Sequence, residues 1–99
     1  ADDPNELLNK MLEKAPAPVV KKDEYQNIVE YTLTNDTGYD FEYIEVQYDV
    51  FDKNNVKLAN DYANISDVKD GQSFKVIIDM YQDGADHYEI TKITADALD

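Results

Sequence analysis

A single imidazole, His87, stands among 22 carboxylates. With a serine nucleophile and one of those carboxylates it would make the relay used in acyl transfer. Ser66 and Ser73 are the serines on offer. Neither sits in a Gly-x-Ser-x-Gly elbow, and no spacing joins either one to His87. The neighbours Asp83-Gly84 and Asp86 read as loop, so His87 reads as a surface loop histidine. Carboxylate pairs are the next candidates. Asp40 with Glu42, and Asp49 with Asp52, could approach one another on a strand face or turn. Glycoside hydrolysis needs two such groups across a cleft, and 99 residues leave little room for one. Calcium needs six to eight oxygens, usually from one closely spaced loop. Asp52-Lys53-Asn54-Asn55 lacks the EF-hand spacing and its distal Glu. The three glycines form no phosphate-cradling loop, and without cysteine there is no thiolate nucleophile or thiolate metal site. These residue types therefore assign no catalytic, cofactor-binding or metal-binding residue. Aromatic rings remain. Tyr39, Phe41 and Tyr43 cluster, and Tyr43 and Phe51 fall on the polar-side positions of a strand. Such rings would suit a carbohydrate or peptide site. The favoured alternative is that this second face is covered by an N-terminal helix or a loop.

The elements that would hold these residues are read from periodicity. In Phe41–Phe51 the residues Ile44, Val46, Tyr48 and Val50 alternate with Glu45, Gln47 and Asp49, giving a strand with one apolar and one wet face. Asp52-Lys53-Asn54-Asn55 turns the chain, since Asn accepts the left-handed backbone of tight hairpins. Apolar residues resume at Val56 and Leu58, so a hairpin is expected. Residues 56–65 form a weaker strand whose Asn60, Asp61 and Asn64 suggest an edge or an interruption.

Upstream, Val19-Val20 forms a short first strand. Tyr25, Val29, Tyr31 and Leu33 share one face of a longer one, and Asn35-Asp36-Thr37-Gly38 ends it. Downstream, Val68–Gly71 turns the chain, with Gly71 expected in a backbone region other residues resist. Phe74, Val76, Ile78 and Met80 then alternate with Ser73, Lys75, Ile77 and Asp79. After Gln82-Asp83-Gly84 comes a last strand, Tyr88–Thr94. Its Ile90 and Ile93 are out of phase, which fits a bulge or a strand exposed differently along its length. Turns about every ten residues predict an antiparallel sandwich or a small barrel.

Residues 1–18 are different. Asp3 is placed as an N-cap, Pro4 opens a helix, and Glu6 follows three residues after the cap. Leu7, Leu8, Met11 and Leu12 make an apolar stripe, and Ala15-Pro16-Ala17-Pro18 stops the helix. About ten residues make a marginal helix alone in water. The stripe is expected to dock on the parent domain, with a spacer or a partner-binding helix as the alternatives. The expected organisation is an N-terminal helix and Ala/Pro linker over 1–18 and a β domain over 19–99.

Nine lysines face the 22 acidic residues, there is no arginine, and the formal charge is −13. Nucleic-acid binding and attraction to anionic bilayers are disfavoured. The acidity serves solubility first, and a cationic partner or loosely held calcium second. No apolar run reaches the roughly 20 residues of a transmembrane helix. No basic-then-apolar leader is present. The first residue is Ala, which fits a trimmed chain.

One region resembles a known family. Leu33-Thr34-Asn35-Asp36-Thr37, then Ile44-Glu-Val-Gln-Tyr48-Asp-Val50-Phe51-Asp52-Lys53, then Val68-Lys69-Asp70-Gly71-Gln72-Ser73-Phe74 is similar to the FxLYD-type domains of bacterial surface proteins and lipoproteins. The resemblance covers about residues 25–80. It departs from the family pattern in having no Pro before Gly71 and Asn55 where Gly is common. It implies an immunoglobulin-like sandwich, so that with the elements read above the expected fold is an all-β, immunoglobulin-like antiparallel β-sandwich of about six to seven strands with a short N-terminal helix. It implies no enzymatic activity and no cofactor. It also implies an extracytoplasmic structural or protein-interaction role, with a protein or cell-envelope component as partner and a lipid anchor as one attachment in a precursor. A small ligand-binding module, for carbohydrate or a divalent cation on the same scaffold, is the alternative.

Overall fold

Ten residues, Pro4–Glu13, form the single helix α1 of the computed structural model, which describes residues 3–98. Ala1, Asp2 and Asp99, the outer ends of the two expected segments, lie outside the described residues. Asp3 is the N-cap as the sequence predicts, its carboxylate accepting from Asn5 N at 2.8 Å. Six strands follow: β1 (Val19–Lys22), β2 (Asn27–Thr34), β3 (Phe41–Phe51), β4 (Lys57–Val68), β5 (Ser73–Asp79) and β6 (His87–Ala97). They make two three-stranded antiparallel sheets, in the orders β1-β2-β5 and β4-β3-β6. The chain is mostly β, with a sandwich-like arrangement. Among the described residues no helix is long and apolar enough to cross a membrane.

Alternation decides which residues meet between the sheets. Ile44, Val46, Tyr48 and Val50 of β3 face Val29 and Leu33 of β2 and Phe74, Val76 and Ile78 of β5 in one buried cluster. Tyr48 is almost wholly buried. Its hydroxyl sits 3.3 Å from both the carbonyl oxygen and the amide nitrogen of Asp79, linking the two sheets. Burial raises the Tyr48 phenol's pKa.

The helix belongs to the same core. Leu8 and Met11 are buried with the strand residues, while Leu7 and Leu12 are only partly covered. α1 packs against β6 and β2. The reason is a gap in the first sheet. β1 pairs only with Asn27–Glu30 of β2, so the rest of β2 lacks a neighbour on that side. The helix fills that place, and Asn5 Oδ1 accepts from Ala95 N of β6 at 2.9 Å.

Three local expectations change. Tyr25 is not in the β2 strand: Asp23 Oδ1 accepts from Tyr25 N at 2.7 Å and from Gln26 N at 3.0 Å. That turn takes the amides a ladder would use, and leaves Tyr25 88% exposed. The strand over 56–65 is an edge strand, one of the two expected readings, but it extends from Lys57 to Val68, with a register shift opposite Val50 and Phe51 and a left-handed Asp67 at φ 56°. The last strand is longer than predicted, and its phase slip is a bulge. Gln47 pairs with Lys92 and Tyr48 with Ile90, so Thr91 is the extra residue.

Candidate binding surface

Sheet order leaves β4 and β5 each with one unpaired edge, on the same side of the molecule. Their flanks form a slot of about 240 Å³. Ala63, Asn64 and Ile65 of β4 and Lys75, Val76 and Ile77 of β5 are its walls, and Ile44 and Val46 of β3 its floor. Consecutive strand residues point to opposite faces, so three in a row from each strand bring backbone as well as side chains to the slot. The inward positions of β4 explain the opening. Ala59, Asp61, Ala63 and Ile65 face the other sheet and are only partly covered, and two of the four are alanines too short to reach it. Tyr62 (55% exposed) and Ile77 (45%) flank the slot on the outer faces.

Ion pairs brace these strands. Glu30 of β2 binds Lys75 and, at 3.3 Å, Lys21, and the Lys75 contact is the main reason its carboxyl titrates below the ordinary range. Asp49 accepts from Asn60 Nδ2 at 2.9 Å and lies 3.1 Å from Lys57 Nζ. The Asn60 bond, then Lys57, lowers its pKa. Tyr43 donates to Glu45 at 2.8 Å, and that bond raises the phenol's pKa.

The residues singled out for chemistry are dispersed. His87 pairs with Phe51 at one end of β3, whereas Ser66 pairs with Tyr43 near the other. Ser73 belongs to the other sheet, where its hydroxyl bonds that of Thr34 at 2.8 Å. The His87 ring stacks on Phe51 with centroids 5.3 Å apart, and its Nδ1 meets Asp86 at 2.9 Å. Of the acidic pairs, Asp40 accepts from Asp70 N at 2.8 Å while Glu42 is exposed. Asp52 caps the hairpin, accepting from Asn54 N at 2.8 Å and Val56 N at 2.9 Å, and Asn55 takes the left-handed backbone at φ 62°. Among the described residues no cluster of three or more His, Cys, Asp or Glu could hold a metal ion.

The aromatic group also divides. Tyr43 and Phe51 lie half-covered on the outer face of β3. Phe41 has the same parity yet is fully buried. Opposite β6, Phe41 pairs with Ala97 and Tyr43 with Asp96, so Glu42 is an extra residue that turns Phe41 inward. Tyr39 packs against the core beside it, centroids 6.5 Å apart. These rings are not one exposed patch.

Two features had no sequence signal strong enough to find them. Asn35 is fully buried. Its Nδ2 donates to Tyr39 O at 2.8 Å and its Oδ1 accepts from the Thr37 hydroxyl at 2.7 Å and from Thr37 N at 3.2 Å. Its backbone bonds Gln72 O at 2.9 Å and Gly71 N at 2.6 Å. On the far side of the sandwich the hydroxyls of Tyr31 and Tyr88 meet in a short hydrogen bond between the sheets. Burial, then that bond, raises the pKa of Tyr88 strongly.

No protein-family model matches the chain, and neither does any curated protein or solved structure.

Proposed function

We propose that the chain is a non-catalytic, extracytoplasmic interaction module of a bacterial surface protein or lipoprotein, built on an immunoglobulin-like sandwich. The motif resemblance over residues 25–80 favours that setting. The strand orders β1-β2-β5 and β4-β3-β6 are compatible with an immunoglobulin-like arrangement. The observation that carries the interaction role is the free flank of β4. It is 12 residues long, is regularly paired with β3 from Ala59 to Ser66, and borders a slot that opens onto core residues. Unpaired strand edges recruit extended segments, the backbone supplying affinity and alternate side chains specificity. The occupant is an extended segment of a partner protein. It would place an apolar side chain between Ala63 and Val76 and carry lysine or arginine nearby, to complement the charge of −13.

Two measurements test this reading. Extended peptides selected from a display library against the intact protein should protect amides of 57–68 or 73–79 from hydrogen exchange. They should bind at least about tenfold more weakly to Ala63→Lys. Protection elsewhere, or unaltered binding to that variant, refutes the edge. Fractionation of the source cells should recover the protein with the envelope or medium, and recovery only from cytoplasm refutes the location.

A further inference from the structure

At the end of the sandwich away from α1, the β1–β2 turn (residues 23–26) and the β5–β6 connection (80–86) enclose a cleft of about 520 Å³. Its two tyrosines, Tyr25 and Tyr81, are 88% and 71% exposed. The fold thus leaves two aromatic rings in water beside one concavity. Every charged side chain in the lining is a carboxylate: Asp23, Glu24, Asp79 and Asp83.

Some donors in the lining are already used. Asn27 Nδ2 donates to Ala85 O at 3.2 Å and Met80 N to Asn27 O at 2.9 Å, which ties the two loops together. The amides of Tyr25 and Gln26 are taken by Asp23, and the Tyr25 amide bond is the main reason that carboxyl stays below its ordinary range. Exposed aromatic faces beside carboxylates favour a ligand that brings positive charge. A neutral sugar would bring as many acceptors as donors. A divalent ion would need several oxygens converging on one point, and no such cluster of carboxylates exists among the described residues.

We infer that this cleft binds an organic cation, a guanidinium or primary ammonium on a short aliphatic arm. The cation lies against Tyr25 or Tyr81 and pairs with the carboxylates. The group arrives either on a free amine or as an arginine or lysine side chain. The inference is independent of strand addition at β4, whose slot is lined by other residues.

The test is an amide chemical-shift titration of the full chain with agmatine, and in parallel with a blocked Gly-Arg-Gly peptide, at constant ionic strength. Saturable shifts confined to residues 23–28 and 79–85 are expected. Binding should weaken about tenfold in Tyr25→Ala/Tyr81→Ala and in Asp79→Asn/Asp83→Asn. Both tyrosines are exposed, so unchanged melting of their double variant separates lost binding from lost fold. Agmatine binding at least as tight as the peptide's supports a free amine as the source; tighter peptide binding supports a side chain. Shifts that track sodium chloride, wild-type affinity in either double variant, or saturation by glucose in place of agmatine overturns the inference.

Discussion

Replacing Asn35 by Asp tests the buried side-chain bonds by which Asn35 orders the β2–β3 loop. The change keeps the size of the side chain and alters one group. Where Nδ2 now donates to Tyr39 O at 2.8 Å, an ionised carboxylate would set oxygen against oxygen inside a fully buried site. The Tyr39 carbonyl loses its best donor, and a charge is left uncompensated. An unsatisfied buried group costs about 1–3 kcal/mol, and an unpaired buried charge about 3–5 kcal/mol. Asn35→Asp should therefore lose about 3 kcal/mol or more at pH 7, lowering the melting temperature by on the order of 15 °C.

The sign of the pH dependence separates this mechanism from simple damage. Burial raises the folded-state pKa of the new carboxyl above its unfolded value. The protonated acid donates to Tyr39 O again, so the deficit against wild type shrinks as pH falls through that pKa and is full above it. Urea unfolding of both proteins from pH 7 to pH 4 measures it. A deficit independent of pH, or Asn35→Asp as stable as wild type at pH 7, refutes the assigned role.

Leu8→Ala should cost about 2–5 kcal/mol, because Leu8 is wholly buried in the common core, whereas Leu7→Ala should cost far less. Equal effects in thermal melts would argue that α1 does not dock as described. Tyr88, with its pKa raised by burial and the Tyr31 bond, adds stability that is complete below the ordinary tyrosine range. That stability is lost as pH rises through the folded-state value. Denaturant midpoints above pH about 10 should fall more steeply in wild type than in Tyr31→Phe/Tyr88→Phe, and parallel curves would count against the pair. Gly71 has φ +86° and open space where a β-carbon would stand, so Gly71→Ala should cost only the strain of the left-handed backbone, about 1–2 kcal/mol by urea titration. A larger loss would mean that the turn is packed more tightly than this.

Local geometry is readable in the sequence wherever a single strand or turn carries its own signal. β3 begins and ends at the predicted residues, Asn55 and Gly71 take the expected left-handed backbone, and the phase slip at Ile90 and Ile93 is a bulge. Choices made between distant segments are not readable in that way. Phe41 has outward parity on paper, and only its pairing with β6 adds the extra residue that turns it in. Tyr25 continues the apolar rhythm of β2, yet Asp23 captures its amide. The stripe on α1 is plain, but its seat depends on how soon β1 leaves β2. The slot beside β4 and the acidic cleft are likewise gaps between elements, and no single segment encodes a gap.

The hydrogen bond from Ala95 N to Asn5 Oδ1 has a kinetic consequence. It joins residues 90 positions apart, nearly the whole chain, so it closes the largest loop in the fold. Loop closure is entropically unfavourable until other contacts have shortened the path. The seat of α1 on β6 is therefore expected to close after β6 has joined the sheet, whereas its contact with β2 spans a far shorter loop. Refolding followed by a probe on α1 should lag refolding followed by Tyr48.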